Sequence, residues 1–365
     1  MRVTLISFTF FEYNIHLANG LAEHAEIQLI LPAEGEAYCT ALDSRVQVHI
    51  LRHARIRQPA AQTRNMMQVY QVVRAFKPDL VHVQQGYFWL TFLIPLLERY
   101  PLVITIHDPM PHLGDHESRK TPTQMFHYGF WRADQLIVHG KSLRETVVNE
   151  LNLDAQRVHV VPHIKLGEDI GDPDATHEMY PDTRRVLFFG RIWEYKGLEY
   201  LIRAEPLVSE KVPDVKIVIA GRGEDFGKYR AMMQHPERFE VHNEFISEKL
   251  VRPLFEQASV VALPYVEATQ SGVIPLAYAY ARPVVTTHVG ALPDVVDNYR
   301  TGILVPPRDV EALADTLVRL LRNPRLAYQM GVAGKRKLDR EANPGIVAAQ
   351  TMQVYERALG AASGE

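Results

Sequence analysis

The sequence predicts an α/β protein built from two doubly wound, parallel-sheet domains. Three observations predict it. Short runs rich in β-branched residues alternate with helical patterns from one end of the chain to the other. Those runs are apolar throughout, where a half-exposed strand would be apolar at every second position. One polar segment near the middle carries no hydrophobic period at all. Continuous apolar strands separated by helices belong to parallel sheets covered on both faces. The 365 residues fit about two domains at roughly 100–200 residues each.

Taken in order, "RVTLISF", "AEIQLILP", "VQVHIL", "DLVHVQQ", "LVITIHD", "QLIVHG" and "RVHVVP" read as the strands of the first half. In the second half "RRVLFFG", "DVKIVIAG", "FEVHNEF", "SVVALPY", "RPVVTT" and "TGILVPP" do the same. Between them "HIKLGEDIGDPDATHEMYPDT", 163–183, is rich in Asp, Gly and Pro and is the best domain boundary. The expected organisation is a first domain over 1–165, a linker over 166–183 and a second domain over 184–343. A final helix begins after an Asn-Pro break at Pro344, lies within 344–365 and packs back on the first domain. In a doubly wound domain the ligand crevice lies beyond the carboxyl ends of the strands. Two such crevices facing each other would make one cleft.

Composition excludes several classes. Hydrophobic residues make up 47% of the chain, ample for full cores. A formal net charge of −3 argues against a protein that lives on nucleic acid. The single cysteine, Cys39, excludes internal disulfides and a cysteine-based zinc site, and fits a reducing compartment. No signal peptide is visible, so the expected address is the cytoplasm, with peripheral contact to the inner membrane face as an added expectation. The longest apolar stretch, "YFWLTFLIPLL", is shorter than the roughly 17–25 residues that span a bilayer. It reads as a buried helix. "HILRHARIRQPAAQTR", 49–64, gathers four arginines in what reads as a solvated loop.

Two stretches carry anion chemistry. In "FFGRIWEYKGLEYLIRA" a strand ends at Gly190, Arg191 follows at once, and Lys196-Gly197 open a helix whose apolar face includes Leu198, Leu201 and Ile202. Two cations beside a strand end can grip a diphosphate, Arg as a planar fork of donors and Lys as a mobile point charge. In "EATQSGVIPLAYAYARPVV" a loop ends in Thr269-Gln270-Ser271-Gly272 where a helix opens. Ser271 can cap that helix, Gly272 permits close approach to the backbone, and Pro275 falls in the first turn. A helix start of this kind is also a seat for an anion. No Ser-His-Asp constellation, zinc spacing or Walker loop accompanies them.

These motifs, with "VHVVPH", "IVIAGRGED", "LPYVEATQSGVIPLAYAYARPVVTTHVGALPDVV" and "TGILVPPRD", resemble the retaining glycosyltransferases of family four, which have the two-Rossmann GT-B fold. The resemblance runs through most of the chain and is strongest from Val158 to about Pro307. It implies a nucleotide-sugar donor on the second domain, with uridine as the default base, and an acceptor mainly on the first, without a metal or other cofactor. It implies Arg191 and Lys196 on the donor diphosphate, with Gly190 and the amides around Ser271, Gly272 and Val273. Transfer would proceed by front-face displacement, the leaving phosphate helping to deprotonate the acceptor hydroxyl of a glycan, lipid or small molecule. At the end of "VITIHDPMPH", His107 would contact the donor sugar or the acceptor, with Asp108 as a weaker candidate.

The sequence departs from the family pattern in two places. The usual pair of glutamates, separated by seven residues, is absent: aligned on "ARPVV" those positions are Ala268 and Leu276. Glu267, Thr269 and Gln270 are the polar groups left to read the donor sugar. The glycine-rich first loop is replaced by "SFTFFEYNIHLANGLAEH", with Tyr13, Asn14 and His16 near the expected site and Phe10 and Phe11 read as core. Two other readings stay open: a nucleotide-sugar epimerase, and a catalytically silent nucleotide-sugar or glycan-binding protein.

Overall fold

The computed structural model describes residues 1–55, 57–85, 88–109, 123–167 and 183–362. All thirteen expected strands form. The first seven are β1 (Arg2–Ser7), β2 (Glu26–Pro32), β3 (Gln47–Leu51), β4 (Leu80–Gln84), β5 (Leu102–Ile106), β6 (Gln135–Val138) and β7 (Val158–Val160). The other six are β8 (Arg185–Phe189), β9 (Lys216–Ala220), β10 (Phe239–His242), β11 (Val260–Leu263), β12 (Val284–Thr287) and β13 (Gly302–Val305). They make two sheets, in the orders β3-β2-β1-β4-β5-β6-β7 and β10-β9-β8-β11-β12-β13. Every neighbouring pair is parallel. Each order reverses once, between β1 and β4 and between β8 and β11, and that switch point is where doubly wound sheets open a crevice.

Contacts divide the described residues into two compact units: 1–109, 123–164 and 341–362 in the first, and 165–167 with 183–340 in the second. Most of the expected linker, 168–182, lies outside the described residues, as do Tyr87 of the long apolar stretch and Met110–His112 beyond β5. In the first unit the strands β4, β5 and β6 are buried along their whole length, which is why their sequences are apolar throughout. The helix Pro344–Ala362 belongs to this unit and packs on the helix Phe11–Leu21. They meet closely at Gly20, where an added Cβ would stand 2.7 Å from the Pro344 carbonyl oxygen.

In the second unit the helix Leu198–Lys211 packs on the helix Val310–Leu321. Leu198, Leu201 and Ile202 are buried as the apolar period requires, against Leu313, Leu317 and Leu321. The Asp309 carboxylate accepts from Ala312 N at 2.9 Å and caps the second of these helices.

Three readings are corrected. Phe10 is not core: it is 37% exposed, at φ 56°, with its ring against His107. "YFWLTFLIPLL" is not one buried helix but two single turns, Phe88–Thr91 and Ile94–Leu97, with Phe92 57% and Leu96 48% exposed. Pro95 sits at the start of the second turn, where a missing N–H does no harm. Of the four arginines in 49–64, Arg64 lies in the helix Pro59–Phe76, and all four are exposed.

Candidate active site

Two loops leave the second sheet at its switch point. The loop after β8 begins at Gly190, whose φ of 110° suits glycine. Arg191 next to it is exposed, while Ile192 turns into the core. A single turn, Glu194–Lys196, then leads to Gly197 at φ 66°, the residue that starts the helix Leu198–Lys211. A Cβ on Gly197 would stand 2.0 Å from the carbonyl oxygen of Pro264 in the loop after β11. The two loops are therefore joined backbone to backbone, and Val266 N donates to Tyr195 O at 2.8 Å. A Cβ on Gly190 would stand 3.5 Å from Val273 Cγ2, so the β8 strand end lies against the helix Val273–Ala279.

Tyr265 is the hub of this arrangement. Its ring is fully buried, and the Lys196 ammonium stands 3.8 Å from the ring centroid. Its hydroxyl lies 3.2 Å from Ser271 Oγ. Burial pushes the phenol up, while the Ser271 hydrogen bond and the charge of Arg191 pull the other way. Both cations and the serine thus bear on one neutral ring. A cation held over an aromatic face is worth about 0.5–2 kcal/mol, so the ammonium is positioned before any ligand arrives.

The helix start needs a correction. Gly272, not Ser271, is the N-terminal cap residue, with φ −66° and no side-chain cap bond. Ser271 stands one residue earlier, and its Oγ accepts from Val273 N at 3.3 Å. A helix of seven residues carries little dipole, so an anion here would feel local N–H groups and the two cations. Glu267, Thr269 and Gln270 follow in the same loop, partly buried. The main chain of Thr269 accepts from Ala291 N at 3.3 Å. Gly290, at φ 50°, keeps the neighbouring β12 loop close: a Cβ there would stand 1.6 Å from Ala268 O.

The first unit gathers rings at its strand ends. His107 ends β5, His139 follows β6, and His163 follows β7. Tyr13, on the helix after β1, lies 5.1, 5.4 and 5.2 Å from these three rings. Phe10 stacks on His107 at 4.0 Å. His139 Nδ1 donates to Val161 O and His163 Nδ1 to Ile164 O, each at 2.9 Å, which leaves the lone pairs on Nε2. His139 Nε2 is buried without a hydrogen-bond partner among the described residues. Burial lowers His139 to about 3, with His163 adding to the effect. Burial, then His139 and His163, hold His107 well below the usual range. The cluster is neutral at pH 7 and offers hydrogen-bond acceptors to hydroxyl groups, not positive charge to a phosphate.

Two glutamines fix the His107 segment. Gln84 Oε1 accepts from His107 Nε2 at 3.0 Å. Gln85 Oε1 accepts from His107 N at 2.7 Å, and its Nε2 donates to Asp108 O at 2.7 Å. Asp108 adds a negative potential at His139. His16 stays out of the ring cluster and lies 3.9 Å from Glu12 on the more open side of its helix. Sequence reasoning missed Tyr265, His139, His163 and the two glutamines. The signal that singled out His107, a histidine just past a strand, is equally present in "IVHG" and "VVPH". Among the described residues no group of three acidic, histidine or cysteine side chains could hold a metal ion.

Two parallel sheets of this order define the class: a GT-B-type glycosyltransferase. The solved structure of Anabaena HepE in complex with UDP-glucose is similar over 98% of this chain and 99% of that one, at a TM-score of 0.74 and 16% identity. Residues 12–164 match the family model described as Glycosyltransferase Family 4, and residues 183–323 the one described as Glycosyl transferases group 1. Between them they take in most of the chain, which belongs to the family 4 type of glycosyltransferase. An uncharacterized glycosyltransferase of Methanocaldococcus jannaschii is 26% identical over 311 residues, 78% of this chain and 76% of that protein. Glycogen synthase of Mycobacterium tuberculosis is 28% identical over 311 residues, 80% of this chain and 71% of that protein. No helix among the described residues is long and apolar enough to cross a membrane.

Proposed function

We propose that this glycosyltransferase moves a sugar, with retention of configuration, from a nucleoside diphosphate sugar to a hydroxyl of a glycan, lipid or small-molecule acceptor. The observation that carries the reading is the convergence of Lys196, Arg191 and Ser271 on Tyr265 at the switch point of the second sheet. In this reading Arg191 and Lys196 hold the diphosphate, with Gly190 and the amides from Ser271 to Val273. Glu267, Thr269 and Gln270 read the sugar. UDP is the default nucleotide, and the complex of the structural neighbour with UDP-glucose supports that choice. His107, Tyr13, Asp108 and His16 are assigned to the sugar and acceptor hydroxyls; the open position of His16 makes it the most peripheral of the four.

The chemistry follows from charge. The bond from the anomeric carbon to the β-phosphate oxygen breaks, and the acceptor oxygen bonds to the same face of that carbon. The acceptor proton passes to the departing phosphate oxygen. Negative charge grows on the diphosphate, and cations already aimed at it lower the barrier because they need no reorganisation. No divalent ion is required in this scheme. An epimerase would need acid and base groups that titrate near neutrality, and the depressed imidazoles of the first unit speak against it. The test is a panel of nucleotide-sugars, screened by thermal shift and then by nucleoside diphosphate release with mixed acceptors. One donor should both stabilise the protein and release diphosphate in an acceptor-dependent way. Stabilisation without release by any donor would favour the silent binding protein.

A further inference from the structure

A line of buried polar side chains runs under the first sheet from its last helix to its strand ends. The register of β4 and β5 pairs Gln84 with Thr105, so His82, Gln84, Thr105 and His107 fall on one face. Tyr355, on the helix Pro344–Ala362, covers that face, and none of the five is more than 2% exposed. The Tyr355 hydroxyl lies 2.7 Å from His82 Nδ1. His82 Nε2 lies 2.8 Å from Thr105 Oγ1 and 3.2 Å from Gln84 Nε2. Gln84 Oε1 lies 3.0 Å from His107 Nε2. One amide therefore bridges two imidazoles by their Nε2 atoms.

That bridge has a chemical consequence. An amide has a donor end and an acceptor end. The imidazole facing its oxygen must carry a proton on Nε2, and the one facing its NH2 must carry a lone pair there. With the oxygen toward His107, His107 is protonated on Nε2 and its lone pair is on Nδ1. His82 then accepts at Nε2 from Gln84 and Thr105, and its Nδ1–H donates to Tyr355. Both rings are neutral, as burial dictates, so tautomers and not charges are what the line transmits.

We propose that Tyr355, His82 and Gln84 are positioning residues that fix the tautomer of His107, so that the final helix decides whether His107 offers an acceptor or a donor on Nδ1. A buried donor left unpaired costs about 1–3 kcal/mol, enough to select one tautomer by an order of magnitude or more. Removing the Tyr355 hydroxyl leaves His82 Nδ1–H without its partner. The proton then moves to Nε2, where Thr105 and the rotated Gln84 amide accept it. Rotation turns the amide NH2 toward His107, which keeps its proton on Nδ1 instead. The functional consequence rests on the assignment of His107 to a substrate hydroxyl, but the switch itself does not.

The experiment is imidazole 15N NMR on the full chain labelled at histidine, with His82 and His107 assigned by His82→Gln and His107→Gln. In the parent protein the two Nε2 nuclei should be opposite, pyrrole-like in His107 and pyridine-like in His82. Tyr355→Phe should exchange the two patterns. Gln84→Leu should uncouple them, so that adding Tyr355→Phe no longer alters His107. The same protonation state at both Nε2 atoms of the parent would overturn the proposal even if no variant folded. So would a His107 pattern unmoved by Tyr355→Phe. If the switch occurs while no donor sugar is ever transferred, the proposed reaction fails and the tautomer relay stands. With an active donor, Tyr355→Phe should lower kcat several-fold with KM nearly unchanged, and Gln84→Leu should abolish that dependence on residue 355.

Discussion

At Arg191 the demands of folding and of chemistry separate. The side chain is exposed at a strand end, so its removal leaves the core intact. Arg191→Ala should therefore lower transfer by about two to three orders of magnitude, the scale for one charge-stabilising donor, while the melting temperature holds. Near-normal turnover would remove the centre of the proposed function. The helix start offers a second pair of tests. Gly272 has φ −66°, which any residue adopts, so Gly272→Val strains no backbone and reports on ligand approach. It should weaken nucleoside diphosphate binding more than monophosphate binding, as measured by calorimetry. Ser271→Ala removes the hydroxyl that meets both Tyr265 and Val273 N, and should cost about 1 kcal/mol of stability without ligand, as one lost hydrogen bond does. Equal diphosphate affinity in Gly272→Val would reduce this helix start to a structural turn.

Among the elements, the helix Pro344–Ala362 departs most from chain order, because it joins the first unit after the whole second unit has been built. Its seat on the helix Phe11–Leu21 depends on Gly20, whose Cα hydrogens face Pro344 and Ala348. Those contacts are main chain and a β-carbon, which cannot swing aside. Gly20→Val should lower stability by about 1–3 kcal/mol through overpacking, and denaturant unfolding measures it. A larger side chain tolerated there without loss would mean that the helix is held elsewhere. The same element carries Tyr355, so displacing it should also disturb His107, a coupling that helix packing alone does not require.

For the whole molecule, the buried histidines link folding to pH. His82 and His139 are lowered to about 3 by burial, whereas an unfolded histidine titrates near 6.5. Between those values the unfolded chain binds more protons than the folded one. Stability is therefore fully present above about 6.5 and falls as the pH drops toward 3, by up to about 1.4 kcal/mol per pH unit for each such histidine. Urea unfolding from pH 4 to 8 should show that slope, and His82→Gln should make it shallower. A flat profile would mean that these rings are hydrated in solution. Activity belongs to the same scale: with Arg191 and Lys196 supplying positive charge, transfer should survive EDTA. Complete loss on chelation, reversed by magnesium or manganese, would call for a different catalytic scheme.

The sequence by itself determined the thirteen strands, because a strand buried on both faces is apolar whatever its neighbours are. It also marked Arg191, Lys196 and His107, because chemistry in a doubly wound sheet gathers just past the strand ends. Tertiary structure alone decided the rest. Phe10 reads as core by composition, yet a left-handed turn lays its ring on His107. Tyr265 reads as one more apolar strand residue until the loops after β8 and β11 lock together and bring Lys196 over its ring. Nothing in the local pattern of "VHVQQ" ties it to Tyr355, a residue 273 positions away from His82. Local propensity and burial are written along the chain, whereas partners across a sheet are set by strand order and register, which no local pattern encodes.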